Sequence, residues 1–178
     1  MFNSFAANPP VFISTVNPEV RVKVTTNLLR DYGYFNGKVA YETVVDKKDS
    51  LKAGIIYTVD MKNPYFIDTV YYQRFTPQTL RIMERGRRMS YISPGEQFNV
   101  VDLDEERSRI STLLRNLGYF YFRPDYMTYQ ADTTLVPGGH ISLRLIPVPG
   151  LPAAAQRPYY VGDASVYLFG KNGEAPND

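Results

Sequence analysis

Cysteine and tryptophan are absent from this chain, and histidine occurs once in its 178 residues. The lack of cysteine excludes disulfides, thiolate metal sites and a cysteine nucleophile. It does not separate a cytosolic domain from a periplasmic one. No apolar run approaches the ~18 residues of a membrane helix. The opening MFNSFAANPPVF has no basic stretch followed by a long apolar one, so it does not read as a secretory signal. On this reading the chain is either cytosolic or an excised piece of something larger. Charge of one sign is missing too. Lys and Arg total 20 against 18 Asp and Glu, and the net +2 makes no case for nucleic acid as a partner. Neither G-x-x-x-x-G-K nor G-x-G-x-x-G occurs, which excludes the common phosphate loops.

What the chain does have is aromatic and repeated. Tyr (15) and Phe (10) carry the aromatic content, and hydrophobic residues make up 44%, enough for a core with strands in it. NLLRDYGYFNG at 27–37 returns as TLLRNLGYFYF at 112–122, an offset of 85 residues. Before the first copy, Asn17-Pro18 is a cap followed by proline at the first helical position. Val24, Leu28, Leu29 and Tyr32 follow at helical spacing, and Gly33 supplies a left-handed stop. Before the second copy, Asp102 with Glu105 gives a capping-box pattern. Ile110, Leu113, Leu114 and Leu117 form the stripe, and Gly118 closes it.

Strand pairs follow each helix: 38–45 with 53–61 across DKKDS, and 121–132 with 140–148 across TTLVPGG, where Pro137-Gly138 favours a type II turn. In the last strand Ile141, Leu143 and Leu145 alternate with Ser142 and Arg144, as in a half-buried strand. A third parallel joins NPYFIDTVYYQRF (63–75) to RPYYVGDASVYLFG (157–170). Thr76-Pro77 starts another helix over 77–90 with Leu80, Ile82, Met83 and Met89 on its apolar side; Gly86 interrupts it. The expected unit is strand, helix, helix, strand, strand, over 63–148. Residues 1–62 read as a partial copy, its second helix and hairpin, and 149–178 as a linker plus the first strand of a following unit.

That unit, with its GEQF loop at 95–98, its second helix (104–117) and the Gly118-Tyr119-Phe120 end, resembles the polypeptide-transport-associated (POTRA) domain. Leu28, Leu29 and Gly33-Tyr34-Phe35 match it in the partial copy. NPPVFIST (8–15) is similar to the loop before the second helix in the surface-antigen/TamA-like branch. The resemblance implies an α+β fold, two helices on a three-stranded mixed sheet, in tandem. It implies a non-catalytic module on the periplasmic face of the bacterial outer membrane, within a barrel protein that assembles or translocates others. Its partners would be unfolded outer-membrane protein segments or accessory assembly proteins. The departure from the pattern is that nothing here resembles a train of transmembrane barrel strands. The Gly-Tyr-Phe repeat is then architecture: glycine stops the helix, the Leu pair faces the sheet, and Tyr-Phe opens the next strand.

Chemistry is weighed against that background. His140, the single histidine, has Ser142 on the same strand face but no evident acid and no G-x-S-x-G, so no catalytic role, cofactor or metal is expected. DLDEE (102–106) offers four carboxylates at a helix start, where negative charge suits the dipole better than calcium would be suited by the spacing. Arg81, Arg85, Arg87 and Arg88 lie on or near one helix; they are either a solvated face or a patch for an acidic partner or anionic membrane.

Backbone chemistry remains. In the resembled family the third strand is central and the second is an edge, so an extended client can add beside it. Here that edge would carry Tyr126, Met127, Thr128, Tyr129 and Gln130, with Pro124 blunting its near end. The cut units also allow a domain-swapped dimer in which one molecule lends 157–170 to another. The other classes are a cytosolic α/β enzyme or ligand-binding domain with an unrecognised site, marked by a concave pocket of converging polar side chains, and a division or secretion scaffold built from the same domain type.

Overall fold

The computed structural model describes residues 12–49, 51–134 and 138–167. Residues 8–11 of NPPVFIST, Pro137 of the expected turn, and the end of the 157–170 segment lie outside them. The elements are α1 (Pro18–Asp31), β1 (Lys38–Val45), β2 (Ala53–Asp60), β3 (Phe66–Tyr72), α2 (Pro77–Arg85), α3 (Val100–Asn116), β4 (Met127–Asp132) and β5 (His140–Pro147). β1 and β2 form an antiparallel hairpin. The other strands form one sheet in the order β3-β5-β4, with β3 parallel and β4 antiparallel to the central β5. The fold is α+β, two helices on a three-stranded mixed sheet, preceded by a helix and a hairpin.

Local chemistry sets most boundaries. The Asn17 side-chain oxygen Oδ1 accepts from Val20 N, and the Thr76 hydroxyl from Thr79 N, each ahead of a first-turn proline. The cap of α3 is one turn earlier than Asp102: Asn99 accepts from Val101 N at 2.9 Å, and Asp102 sits inside the first turn. α2 stops at Arg85 and a 3-10 turn covers Arg87–Met89, so the expected helix over 77–90 is shortened. A Cβ on Gly86 would lie 2.5 Å from Leu113 Cδ2. That glycine lets α2 end directly against α3.

The core lies between α2, α3 and the sheet. Met83, Ile110, Leu114, Met127, Leu143 and Leu145 are fully buried there. Of the two leucine pairs, the second member is buried each time, Leu29 and Leu114. Leu28 is 53% exposed and Leu113 is half-buried, so the pair as a whole does not face the sheet. Val24 and Tyr32 are exposed too, because among the described residues α1 has no neighbour playing the part that α2 plays for α3. Met89 and Leu117, counted on apolar faces from spacing, are exposed. β5 is buried on both faces, Ser142 and Ile146 included, rather than half-buried, since it is flanked by strands on both sides.

One strand expectation needs correction: Tyr119 and Phe120 do not open a strand. The Tyr119 amide turns back to Leu114 O (3.1 Å), a 3-10 turn takes Pro124–Tyr126, and pairing begins only at Met127. Among the described residues, 157–167 pair with no strand.

Candidate functional site

The two edges of the β3-β5-β4 sheet differ. β3 is closed by its own unit. Ile67 N donates to Glu96 O (2.8 Å), Gly95 N donates to Ile67 O (2.7 Å), and Arg87 Nη1 donates to Val70 O (2.9 Å). The GEQF loop and one arginine thus cover the first part of this edge, while Val70 N and the main chain of Tyr72, on the same outer side, have no hydrogen-bond partner among the described residues.

β4 is closed only at its start. Val148 N donates to Tyr126 O (3.0 Å). From that pair, antiparallel alternation turns Thr128, Gln130 and Asp132 toward β5 and leaves the main-chain groups of Met127, Tyr129 and Ala131 facing outward. Arg107 Nη1 donates to Met127 O (3.2 Å). The outward N–H and C=O of Tyr129 and Ala131 have no partner among the described residues. Of the expected edge residues, Met127, Thr128, Tyr129 and Gln130 lie on β4, whereas Tyr126 lies in the turn before it. Ala131 was missed because spacing alone does not say which residues turn their amides outward. The near end is closed by Arg107, with Pro124 outside the strand.

Behind the sheet a buried ionic cluster ties α3 to β3 and to the end of α2. Glu106 is fully buried on α3. Its carboxylate accepts from Arg109 Nε (2.7 Å) and Nη2 (2.6 Å), from the Tyr72 hydroxyl (3.0 Å) and from Tyr91 N (3.1 Å). Arg109 Nη1 also donates to Gly86 O (3.1 Å), joining the end of α2 to α3. Burial, then the adjacent Glu106 carboxylate, pushes the Tyr72 hydroxyl up to about 12. The same two causes push Tyr129 up, and its hydroxyl is buried without a hydrogen bond. DLDEE therefore divides its labour: Asp104 pairs with Arg107, while Glu106 neutralises Arg109 in the core. The sequence signal for Glu106 was Arg109 three residues on, one helical turn away.

Of the four arginines on the α2 side, Arg81, Arg85 and Arg88 are exposed. Arg87 is held by both Glu84 carboxylate oxygens (2.9 and 3.0 Å), by Val70 O, and 4.6 Å over the Tyr72 ring. His140 pairs in register with Phe66 at the start of β5, and the Ser142 hydroxyl accepts from Thr69 (3.1 Å). No hydrogen bond joins His140 to Ser142 among the described residues. No group of three or more His, Asp or Glu among those residues is placed to hold a metal. An open groove of about 960 Å³ borders the joint between the two units. Of its polar side chains, Asn36 donates to the Tyr65 hydroxyl (3.4 Å) and Lys62 pairs with Asp60 (2.7 Å); no carboxylate or imidazole lines it.

The repeated Gly-Tyr-Phe is that joint. Gly33 O accepts from Tyr65 N (2.9 Å), and Gly118 O accepts from Tyr159 N (2.7 Å). Both glycines have positive φ, +83° and +93°. At each, the glycine carbonyl receives the first aromatic after a proline, Pro64 or Pro158. The motif ends its helix and receives the segment that follows the next hairpin.

No protein-family model matches the chain, and no curated protein is similar to it. Among solved structures it is similar to the POTRA3-5 region of BamA from Haemophilus influenzae, with a TM-score of 0.45 at 13% identity, covering 76% of this chain and 51% of that one. It is also similar to BamA from Haemophilus ducreyi lacking POTRA domains 1-3, with a TM-score of 0.45 at 13% identity, covering 77% and 23%. The chain thus spans about half the length of the first and under a quarter of the second. Similarity at this level says nothing about partners or activity, and the architecture given above rests on strand order and pairing.

Proposed function

We propose that this chain is a non-catalytic binding module of a protein that assembles or translocates outer-membrane proteins at the periplasmic face. It takes extended client or partner segments as a fourth strand beside β4. The observation that carries the reading is the asymmetry of the sheet. β3 is covered on its outer edge at Ile67 by the GEQF loop and at Val70 O by Arg87, and β4 leaves the N–H and C=O of Tyr129 and Ala131 open. Main-chain pairing demands little of a client's sequence, which suits a module that meets many unfolded chains. Thr128 and Gln130 flank the open groups and would add side-chain contacts. Arg81, Arg85 and Arg88 would attract an acidic stretch of a partner. The resemblance of the Gly-Glu-Gln-Phe loop and the Gly-Tyr-Phe helix end to POTRA domains supports the cellular setting.

The test is an amide perturbation map of the chain with unfolded outer-membrane protein peptides. Shifts should centre on Tyr129 and Ala131 and vanish in Ala131→Pro, which removes one outward donor without breaking a bond to β5. Shifts confined to the helices, or unchanged by Ala131→Pro, would refute the edge as the binding site.

A further inference from the structure

The outward row of β4 is not open along its whole length. Antiparallel alternation turns the main-chain groups of Met127, Tyr129 and Ala131 away from β5. Both groups of Met127 are closed, by different means. Its N–H donates back to Pro124 O and completes the 3-10 turn over Pro124–Tyr126. Its carbonyl accepts from Arg107 Nη1 at 3.2 Å. Met127 is therefore fully buried although it heads an edge strand, whereas Tyr129 is half-buried and Ala131 is exposed.

The two closures differ in kind. The turn belongs to the backbone, and Pro124 presets its start. The other closure is one side chain reaching across from α3. Arg107 lies one helical turn after Asp104, whose carboxylate accepts from Nη2 and so aims Nη1 at the strand. Asp104 is 58% exposed and Arg107 26%. A pair this wet adds little to stability. It also neutralises no buried charge, unlike Arg109 beside Glu106. What it does is occupy a carbonyl that an incoming strand needs. The same device stands on the other edge of the sheet. Arg87, three residues after Glu84 and paired with it, donates to Val70 O of β3.

We infer that Arg107 is a register stop on β4: it holds Met127 O so that an added strand pairs with Tyr129 and Ala131 alone. The inference rests on the reading of β4 as the client edge. A client N–H and the guanidinium compete for one carbonyl, and the arginine stem lies where the client backbone would continue. The client then finds carbonyls at two alternating positions instead of three. A charged side chain on an edge limits strand pairing in this way. The edge stays short, so each encounter is weak and reversible and its register is fixed.

The test uses the full chain with Arg107→Ala and Asp104→Asn. Peptides from unfolded outer-membrane proteins are titrated into each, and the one that most perturbs the Tyr129 and Ala131 amides is taken further. Arg107→Ala should bind it about two- to tenfold more tightly, the contribution of about one added hydrogen bond. Asp104→Asn keeps the arginine and its charge but loosens its aim, and should tighten binding by less. A set of single N-methyl versions of the peptide then counts the client N–H groups in use. The parent chain should show two sensitive positions, two residues apart, and Arg107→Ala a third in the same series. A merely structural role for Arg107 would change affinity without adding a position. Protection of the Leu143 amide, on the buried central strand, should be the same in all three proteins and reports that they fold. Asp104→Asn, a surface change, decides the matter if Arg107→Ala does not fold. Two sensitive positions in every chain, or weaker binding by Arg107→Ala, overturns the stop and leaves the edge reading intact. Peptides that perturb neither Tyr129 nor Ala131 in the parent chain refute the edge reading, and the stop falls with it.

Discussion

Replacing single glycines by alanine separates backbone strain from crowding at the first joint. Gly95 has φ +89° and no atom within 4 Å of an added Cβ, so Gly95→Ala carries the left-handed penalty alone, about 1–2 kcal/mol. Gly33 has nearly the same φ, but an added Cβ meets Phe98 O at 3.0 Å, Phe98 Cβ at 3.2 Å and Tyr65 O at 3.2 Å. Two of these are backbone atoms fixed by the hydrogen bonds of the joint, so they cannot swing aside. Overpacking of this kind adds roughly 1–3 kcal/mol, which puts Gly33→Ala at about 2–5 kcal/mol in all. Undocking the turn from the end of α1 would relieve the crowding and caps the loss at the free energy of the joint itself. Gly118 is intermediate. Its Cβ would meet Tyr159 O at 2.9 Å, but Tyr159 belongs to a segment tied at that one point and able to shift. Gly54 has an ordinary φ and open space, so Gly54→Ala should be neutral or stabilise by about 0.4–1 kcal/mol.

Urea unfolding followed by far-ultraviolet circular dichroism gives the ranking, and hydrogen exchange at the Tyr65 and Phe98 amides reports the joint directly. The expected order of loss is Gly33, then Gly118, then Gly95, then Gly54. If Gly33→Ala costs no more than Gly95→Ala while both amides stay protected, the close approach is not a constraint, and the account of the repeated motif as a joint fails.

Removing one partner of the buried ion pair by Glu106→Ala should cost about 3–5 kcal/mol, since Arg109 is left charged beside the core. The double change Glu106→Leu with Arg109→Met should recover most of that in the same urea assay, and a double variant as unstable as the single one would count against the pair being the cause. Alkaline pH should unfold the chain through its buried tyrosines. Tyr72 is held protonated up to about 12 in the fold against an ordinary value of 10.0, and Tyr129 is shifted the same way. The folded state therefore binds more protons, so this stability is complete below pH 10 and is lost as pH rises through about 12, at about 1.4 kcal/mol per pH unit for each group. Tyr72→Phe should flatten that slope in urea titrations between those limits, and an unchanged slope would refute the assignment.

Periodicity and caps made the helices and both hairpins legible, because each is written in a few local residues: Asn17-Pro18, Thr76-Pro77, Gly33, Gly118. What local pattern could not show was which faces find a partner. Val24 and Leu28 read as a buried stripe but stand exposed, since burial depends on a neighbouring helix and not on spacing. Asp102 matched a capping box, yet Asn99 caps α3, because two good caps in one stretch compete and the loop from Phe98 decides which is used. Ser142 alternated like a solvent-facing residue but is buried, because centrality in a sheet is a property of strand order. Glu106 looked like one acid among several at a helix start, and only the approach of Tyr72 and Arg109 from other positions distinguishes it.

The same contrast orders the functional argument. The structure ties most of the side chains that could carry chemistry to one another: Arg87 to Glu84 and Val70, Ser142 to Thr69, Glu106 to Arg109. What it leaves free is main chain. The Tyr129 and Ala131 groups are open on β4, and the Leu117 and Tyr159 carbonyls are open at the second joint. Open amides and carbonyls at a rigid edge recognise an extended backbone.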